Sequence, residues 1–308
     1  MRVLLIGQKA FGAEVLRAFA KESIELVGAI VGTKELEQED AVETVAREIG
    51  VDCFKTNSLR AEDVLEWARE RRPDLIAMAF VTLYMPKSLV DVAPMGAINF
   101  HPSLLPLHRG ISSLPWTILC GDKIAGLSVY FIDEGMDTGD VIVQKSVEIA
   151  PDDDFKTLYF KKIFPLGVQA MCEAVRLIAA GDPPRKKQDE ALASYEPPLK
   201  REHLILRWEE SAEQNLRKVH AGNPGIGAIA SLNGREVRIY TAAISNLVAD
   251  GVPGQVLSFE GGIHVKTGEG VLRIDTLCYA GDKKMSAADF CRREDPESSF
   301  IFADWQGK

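Results

Sequence analysis

Apolar runs alternate with amphipathic stretches through the first half of the chain. Arg2–Gly7, Glu25–Gly32 and Asp74–Phe80 are short apolar runs typical of parallel strands that are buried on both faces. Between them lie a short strand near Cys53 and three helical patterns. The first helical pattern places Phe11, Val15, Leu16 and Phe19 on one face, and the other two cover residues 41–49 and 61–71. This alternation predicts βαβ units and an α/β fold with a Rossmann-like, doubly wound, mostly parallel sheet.

The middle of the chain continues the same domain with less regular spacing. Further strands are expected at 97–100, 127–132 and 141–147, and a helix is expected at 112–120. A long helix is predicted from Asp154 to Ala180, where the sequence Gly181-Asp-Pro-Pro184 stops it. The first domain is therefore expected to cover residues 1–200.

The pattern changes from about residue 203. A helix at 212–220 precedes five short strands, expected at 226–232, 236–243, 254–259, 263–267 and 271–277. Asn233-Gly234 lies between the first two and is a strong signal for a hairpin turn. Several short strands with tight turns predict a smaller β-rich, OB-like barrel domain at residues 203–308.

Composition supports a folded chain of two domains. The 308 residues are 46% hydrophobic and 26% charged, which is typical of globular proteins. No apolar run approaches the ~20 residues that span a bilayer, and the first residues lack a secretory pattern. The five cysteines are scattered and are expected to be buried, reduced thiols, which favours a cytoplasmic protein with no metal site. A net charge of −9 argues against an extended phosphate-binding surface.

Three polar residues could carry chemistry. Asn99 and His101 are two residues apart at a strand end, so their side chains share one face. Asp137 follows a later strand that could end beside them. An amide that supports an oxyanion, an imidazole that takes a proton and a carboxylate that orients the imidazole are suited to acyl transfer. Taken singly, each is also a common turn residue, so spacing alone supports only a hypothesis.

Two motifs resemble one enzyme family closely. The stretch from Asn99 to Pro106, followed by His108-Arg109-Gly110, is similar to the signature of the folate-dependent formyltransferases. The stretch Asp133-Glu-Gly-Met-Asp137-Thr-Gly-Asp140 matches the second part of that signature in order and spacing. The resemblance covers most of residues 1–200, and the tail resembles the C-terminal domain of methionyl-tRNA formyltransferase.

The resemblance implies a role for each of the three residues. Asn99 would polarise the formyl carbonyl and hold the tetrahedral oxyanion. His101 would share in stabilising that intermediate and in proton transfer. Asp137 would hold His101 and an ordered water, and would help to move a proton from the attacking amine to the leaving nitrogen.

The resemblance also implies 10-formyltetrahydrofolate as the formyl donor. Its pteridine would bind partly through main-chain groups of two segments, which are Leu83, Tyr84 and Met85 and the loop that begins Asp133, Glu134, Gly135. Ordinary core packing is the alternative interpretation of Leu83 and Met85. The turn from Gly7 to Gly12 would line the acceptor side, and Arg185–Lys187 is interpreted as a solvated linker.

The formyl acceptor is harder to predict. The methionyl-tRNA enzyme carries a basic insertion after its second strand, whereas residues 33–48 contain two cations against six acids, one of which is Glu35. An acidic segment repels phosphates, so tRNA is disfavoured as a partner. We therefore expect transfer to the amine or hydroxylamine of a small molecule.

Three alternatives stay open at this point. The opening residues Ile6–Gly12 and the stretch 151–178 resemble the hydrolase domain of 10-formyltetrahydrofolate dehydrogenase, although that domain has an aliphatic residue where Asn99 stands. A 10-formyltetrahydrofolate hydrolase is the first alternative and an unusual methionyl-tRNA formyltransferase is the second. A folate-binding or OB-type interaction protein without catalysis is the third. The sequence does not define the oligomeric state.

Overall fold

The computed structural model describes residues 1–22, 24–34, 37–294 and 300–307. Within them the chain forms two compact units. The first unit comprises residues 1–113, 124–147 and 160–197, and the second comprises residues 114–123, 148–159 and 198–308. The domain ranges 1–200 and 203–308 stay a prediction, because each unit combines separate stretches of the chain.

A seven-stranded sheet forms the centre of the first unit, in the order β3-β2-β1-β4-β5-β6-β7. Strands β1 to β5 are parallel to their neighbours, whereas β6 is antiparallel to β5. This topology confirms the doubly wound, mostly parallel sheet. The strands are β1 (Arg2–Gly7), β2 (Glu25–Gly32), β3 (Cys53–Thr56), β4 (Leu75–Ala79), β5 (Ala97–His101), β6 (Ile124–Phe131) and β7 (Val141–Glu148).

Helices follow the strands where the periodicity predicts them. The predicted apolar face of the first helix is buried, and the Phe11 ring lies 4.2 Å from that of Phe100 and 5.3 Å from that of Phe164. Asp40 caps the second helix and accepts a hydrogen bond from the Val42 amide. The helices are α1 (Lys9–Lys21), α2 (Ala41–Ile49), α3 (Glu62–Arg71), α4 (Lys87–Val90), α5 (Ser113–Cys120), α6 (Phe155–Thr157) and α7 (Phe164–Ala179).

The long helix predicted from Asp154 to Ala180 is interrupted. A π-helical segment, Leu158–Ile163, separates α6 from α7. Pro165 lies in the first turn of α7 and has no N–H to donate to the carbonyl four residues earlier, which interrupts the α-helical ladder at this point.

An antiparallel sheet forms the second unit, in the order β10-β11-β12-β9-β8-β14. Asn233 and Gly234 both have positive φ and connect β8 to β9, as predicted. A bridge between Gln255 and Ile301, the residues just before the two outer strands β10 and β14, brings the sheet edges together, so the sheet curls into the expected barrel-like form, a half-barrel. The elements are α8 (Ala212–Gly222), β8 (Ala228–Leu232), β9 (Arg235–Ile244), β10 (Val256–Ser258), β11 (Ile263–Lys266), β12 (Val271–Tyr279), β13 (Met285–Ser286), α9 (Ala287–Glu294) and β14 (Phe302–Ala303).

Two features concern the expectations drawn from composition. None of the helices in the described part of the chain is long and apolar enough to cross a membrane. Cys172 and Cys278 are buried as expected, but the expectation is wrong for Cys53 and Cys120, which are exposed. Cys53 begins the edge strand β3 and Cys120 ends α5, so neither lies in the interior of its element.

Candidate active site

The carboxyl end of β5 places two of the predicted residues. Asn99 pairs with Tyr130 and His101 pairs with Ser128 across the antiparallel β5/β6 ladder. Residues two apart in a strand point to the same face, so Asn99 and His101 lie side by side. The carboxyl edge of an open α/β sheet is the usual place for a ligand.

Asp137 reaches this edge from the loop after β6. Its φ of 58° lies in the left-handed region, which turns the side chain back towards β5. One carboxylate oxygen, Oδ1, accepts a hydrogen bond from the Tyr130 hydroxyl at 2.6 Å. The other, Oδ2, accepts from the Gly110 amide at 2.8 Å and lies 3.7 Å from His101 Nδ1. The structure therefore brings Asn99, His101 and Asp137 together.

The His101 ring is held by its other nitrogen. His101 is only 6% exposed, and its Nε2 lies 2.8 Å from the main-chain carbonyl oxygen of His108. A carbonyl only accepts, so Nε2 is the donor and carries the proton in the neutral ring. In this tautomer Nδ1 has the free lone pair and faces Asp137. His101 can therefore accept a proton at Nδ1, next to the carboxylate.

Tyr130 is a site residue that the sequence reasoning missed. It is 4% exposed, accepts a hydrogen bond from Asn99 Nδ2 at 3.0 Å and donates to Asp137. Burial, followed by the negative charge of Asp137, raises the pKa of Tyr130 well above its usual value of 10, so the phenol keeps its proton. Strand periodicity offered a signal, because Tyr130 falls on the same face as Ser128 in an apolar strand.

Gln188 holds the Asp137 loop from a distant part of the chain. Its Nε2 donates to the carbonyl oxygens of Asp137 and Gly139, both at 2.8 Å. Its Oε1 accepts from Arg109 Nη2, also at 2.8 Å. The Arg109 side chain is fully buried and forms an ion pair with Glu190 at 2.7 Å. Segment 188–190 thus links the Asp137 loop to the loop that contains Gly110.

The sequence predicts that Arg185–Lys187, the residues just before Gln188, form a solvated linker. The side chains of Arg185, Lys186 and Lys187 are exposed, as expected for one. The main chain is nevertheless ordered, because Lys186 forms a bridge with Val141 and the Arg185 guanidinium stacks 3.8 Å from the Phe131 ring centroid. The segment therefore follows the edge of the first unit instead of leaving it.

The predicted folate-binding segment between β4 and α4 is partly core. Met85 is buried, and Leu83 packs against the same hydrophobic cluster, which agrees with the core-packing alternative for both side chains. Tyr84 is 63% exposed, with the Arg60 guanidinium 4.6 Å from its ring centroid. The roles of their main-chain groups in donor binding stay a prediction.

The second predicted folate-binding segment is a tight loop. Asp133 Oδ1 accepts hydrogen bonds from the Gly135 amide at 3.0 Å and from the Thr138 hydroxyl at 2.6 Å. A Cβ at Gly135 would lie 2.0 Å from that hydroxyl, so the turn requires glycine there. Glu134 is exposed. Asp133 therefore shapes the loop that carries Asp137.

The sequence predicts that the turn after β1, from Gly7 to Gly12, lines the part of the site that binds the formyl acceptor. Gln8 is buried there; its Nε2 donates to the Thr82 hydroxyl at 3.4 Å, and among the described residues its Oε1 has no hydrogen-bond partner. Two acids of the nearby acidic segment are paired, because Glu39 forms an ion pair with Arg47 in the same segment and Glu43 forms one with Lys55 of β3 at 2.6 Å. Glu35 lies outside the described residues.

Two family patterns and a solved structure match the chain. The Formyl transferase family pattern matches residues 1–175, and the pattern named Formyl transferase, C-terminal domain matches residues 198–295. In fold, the chain is similar to an N-formyltransferase from Helicobacter canadensis, solved with folinic acid and dTDP-3-aminofucose. That match has a TM-score of 0.70 and 17% identity, and it covers 88% of this chain and 97% of the other.

Two groups of relatives are similar in sequence. Cytosolic 10-formyltetrahydrofolate dehydrogenase of Xenopus tropicalis is 34% identical over 87% of this chain, which spans only 31% of that protein. Methionyl-tRNA formyltransferase of Geobacter metallireducens is 34% identical, and the match covers 82% of both chains. The chain belongs to the formyl transferase family.

Proposed function

We propose that this protein transfers the formyl group of 10-formyltetrahydrofolate to the amine or hydroxylamine nitrogen of a small molecule. The observation that carries the proposal is the position of His101 Nδ1, 3.7 Å from Asp137 Oδ2 and beside the Asn99 amide. These residues supply a proton acceptor, a carboxylate and an N–H donor at one point on the sheet edge, which is what acyl transfer to nitrogen requires.

The reaction proceeds through a tetrahedral intermediate. The acceptor nitrogen attacks the formyl carbon, and the carbonyl electron pair moves to the oxygen. One Asn99 N–H is donated to Tyr130, and the second N–H stabilises that oxyanion. His101 takes the proton of the attacking nitrogen, and Asp137 stabilises the imidazolium. The carbon–N10 bond then breaks, the proton passes to N10, and tetrahydrofolate and the N-formyl product leave.

The donor is expected to bind along the loops after β4 and β6. Main-chain groups in the non-helical segment Leu83–Met85 and in the loop that begins at Asp133 would recognise the pteridine. The exposed Tyr84 ring in the first of these segments offers a flat apolar surface, which suits a flat heterocycle. Sequence relatives named for 10-formyltetrahydrofolate support this donor.

Charge is the argument for a small acceptor. Residues 33–48 have two cations and six acids, and Arg47 is neutralised by Glu39. Binding of tRNA draws much of its affinity from Lys and Arg contacts with phosphates, and this segment would repel them. The acidic segment instead favours an acceptor that approaches without a phosphate on this side.

The sheet register supports a second contact for the acceptor, at Gln8. Gly7 pairs with Ala79 on β4, and Met78 pairs with Asn99 on β5. Gln8 therefore lies level with His101 and two strands away from β5, which places it roughly 12 Å from Asn99 at the usual strand spacing and rise. The buried Gln8 amide oxygen, which accepts no hydrogen bond from the described residues, would bind an N–H or hydroxyl of an acceptor whose amine lies at Asn99.

Hydrolysis of 10-formyltetrahydrofolate is the second candidate. The similarity to 10-formyltetrahydrofolate dehydrogenases supports it, and water needs the same oxyanion support as an amine. The acidic segment gives no preference between water and a small amine.

The deciding experiment measures tetrahydrofolate release from 10-formyltetrahydrofolate. The reaction is run with no acceptor, with a panel of amino sugar nucleotides and hydroxylamines, and with methionyl-tRNA. Release that requires one amine class supports the proposal and identifies the acceptor. Fast release in buffer alone makes the protein a hydrolase, and release that requires methionyl-tRNA overturns the small-acceptor assignment.

A further inference from the structure

Tyr130 connects two of the proposed catalytic residues through one hydroxyl group. The Asn99 Nδ2 to Tyr130 Oη distance is 3.0 Å, and the Tyr130 Oη to Asp137 Oδ1 distance is 2.6 Å. The ring is buried in β6 and lies opposite Asn99 in the β5/β6 ladder. The hydroxyl is thus rigidly placed between an amide on one strand and a carboxylate in the next loop.

The chemistry of the three groups sets the direction of both hydrogen bonds. A carboxylate only accepts, so the Tyr130 proton must point to Asp137. The hydroxyl oxygen can then accept, and the group that faces it from Asn99 must be the NH2 end of the amide. This arrangement leaves the second N–H of Asn99 as the donor for a formyl oxygen, because a flipped amide would place two acceptors against each other.

The same hydroxyl also holds Asp137. Oδ1 is bound by Tyr130 and Oδ2 by the Gly110 amide, so the carboxylate cannot rotate without losing a hydrogen bond. Oδ2 is the oxygen that faces His101 Nδ1. Loss of the Tyr130 hydroxyl would free one end of the carboxylate and one end of the amide together.

We propose that Tyr130 is a positioning residue that sets the orientation of the Asn99 amide and of the Asp137 carboxylate for formyl transfer. This inference rests on the proposed function of the site. Tyr130 touches neither donor nor acceptor in this scheme, so its removal should slow the chemical step and leave donor binding nearly unchanged. Asp133 is the other acid whose charge acts on the phenol, and it lies in the same loop as Asp137.

The test is the variant Tyr130→Phe, which keeps the ring and removes the hydroxyl. We expect kcat to fall ~10- to 100-fold, as for small displacements of catalytic groups, with a donor KM within about twofold of the wild type. A loss of kcat without a loss of donor affinity is expected when catalytic groups are misplaced in a folded protein. A merely structural role would instead lower the melting temperature and raise the donor KM as well.

The matched control is Tyr279→Phe in the second unit. Tyr279 is also buried, and its hydroxyl also donates to a carboxylate, Glu294 Oε2, at 3.1 Å. This variant should keep the wild-type kcat and donor KM. Melting temperatures of both variants show whether each is folded at the assay temperature.

A second readout does not depend on activity. In protein with ¹³C-labelled aspartate carboxyls, the resonance missing from Asp137→Asn is that of Asp137, and at a fixed pH its chemical shift should change in Tyr130→Phe but not in Tyr279→Phe. A wild-type kcat in Tyr130→Phe, or an unchanged Asp137 resonance, would overturn the inference. If the wild type releases no tetrahydrofolate with any acceptor or with water, the proposed function fails, and the Asp137 resonance alone decides whether Tyr130 holds Asp137.

Discussion

His101 Nδ1 and Asp137 Oδ2 lie 3.7 Å apart, which is too far for a direct hydrogen bond and close enough for a strong electrostatic interaction. With the proton on Nε2 bound to the His108 carbonyl, both facing atoms are acceptors. A water molecule or an amine nitrogen with two hydrogens could donate one hydrogen bond to each of them. The gap therefore suits a nucleophile that delivers its proton to Nδ1 while Asp137 stabilises the charge that forms.

The first prediction concerns the basic nitrogen of His101. His101→Gln can still donate to the His108 carbonyl but has no basic atom to take the proton, and His101→Ala loses both. Each should lower kcat by ~10²-fold or more with little change in melting temperature, as measured by tetrahydrofolate release. His264→Gln, which replaces a hydrogen-bonded histidine in the second unit, is the control. An unchanged rate in His101→Gln would remove His101 from the mechanism.

Asp137 provides the second prediction. Asp137→Asn keeps the shape of the side chain but removes its charge and turns one acceptor into a donor that faces either Tyr130 or Gly110. We expect kcat to fall by ~10²-fold while the dissociation constant of a folate analogue stays within about threefold, measured by calorimetric titration. Asp152→Asn, an exposed acid of the second unit, should change neither value. A collapse of donor affinity would instead make Asp137 a binding residue.

The fold could be predicted from short-range patterns to a large extent. Continuous apolar runs and helical spacing located β1, β2, β4 and the face of α1 because burial repeats at the strand and helix periods. The π-helical segment before Pro165 and the two-residue strands β13 and β14 depend on local hydrogen bonds or on partners far away in the chain. No periodic signal marks either of these features.

The candidate site shows the same division. Asn99, His101 and Asp137 lie in motifs that the sequence displays, and the structure brings them together. Strand periodicity places Tyr130 on one face of β6, but its role follows from its partner Asn99 in the β5/β6 ladder, which the sequence alone does not show. Gln188 donates to the carbonyl of Asp137, 51 positions earlier, so only the folded chain shows its role.

The third prediction tests that distant contact. Gln188→Ala removes two hydrogen bonds to the Asp137 loop and one acceptor of the buried Arg109. We expect the free energy of unfolding to fall by about 1–3 kcal/mol, because buried groups lose their partners. We expect kcat to fall ~10-fold, because the Asp137 loop loosens. Urea unfolding and the release assay measure the two effects.

The neighbouring variant Lys187→Ala serves as the control for Gln188. Lys187 is exposed and belongs to the same segment, so it should retain wild-type stability and rate. Gln188→Glu separates the two contacts, because a carboxylate still accepts from Arg109 but repels the carbonyls of Asp137 and Gly139. If Gln188→Glu has wild-type activity, the link between Gln188 and the catalytic loop is wrong.

The last prediction concerns His220 in α8. Burial lowers the pKa of His220 below its usual 6.5, although Asp154, Asp152 and Asp153 and a hydrogen bond to the Ala242 carbonyl oppose the shift. In the unfolded chain the ring protonates near pH 6.5, whereas in the folded chain it protonates only at lower pH. At pH values around and just below 6.5, the unfolded state therefore binds more protons than the folded state. The free energy of unfolding must fall as the pH decreases through this range.

Urea unfolding at pH 8 and at pH 5.5, followed by a probe of the second unit, measures this effect. The wild type should lose stability between the two values, and His220→Gln should lose less, because glutamine does not titrate. Most carboxylates titrate below this range, so they contribute little to the difference between the two proteins. Equal losses in both proteins would show that His220 is protonated equally easily in the folded and unfolded states, and that its burial in α8 does not disfavour the charged ring.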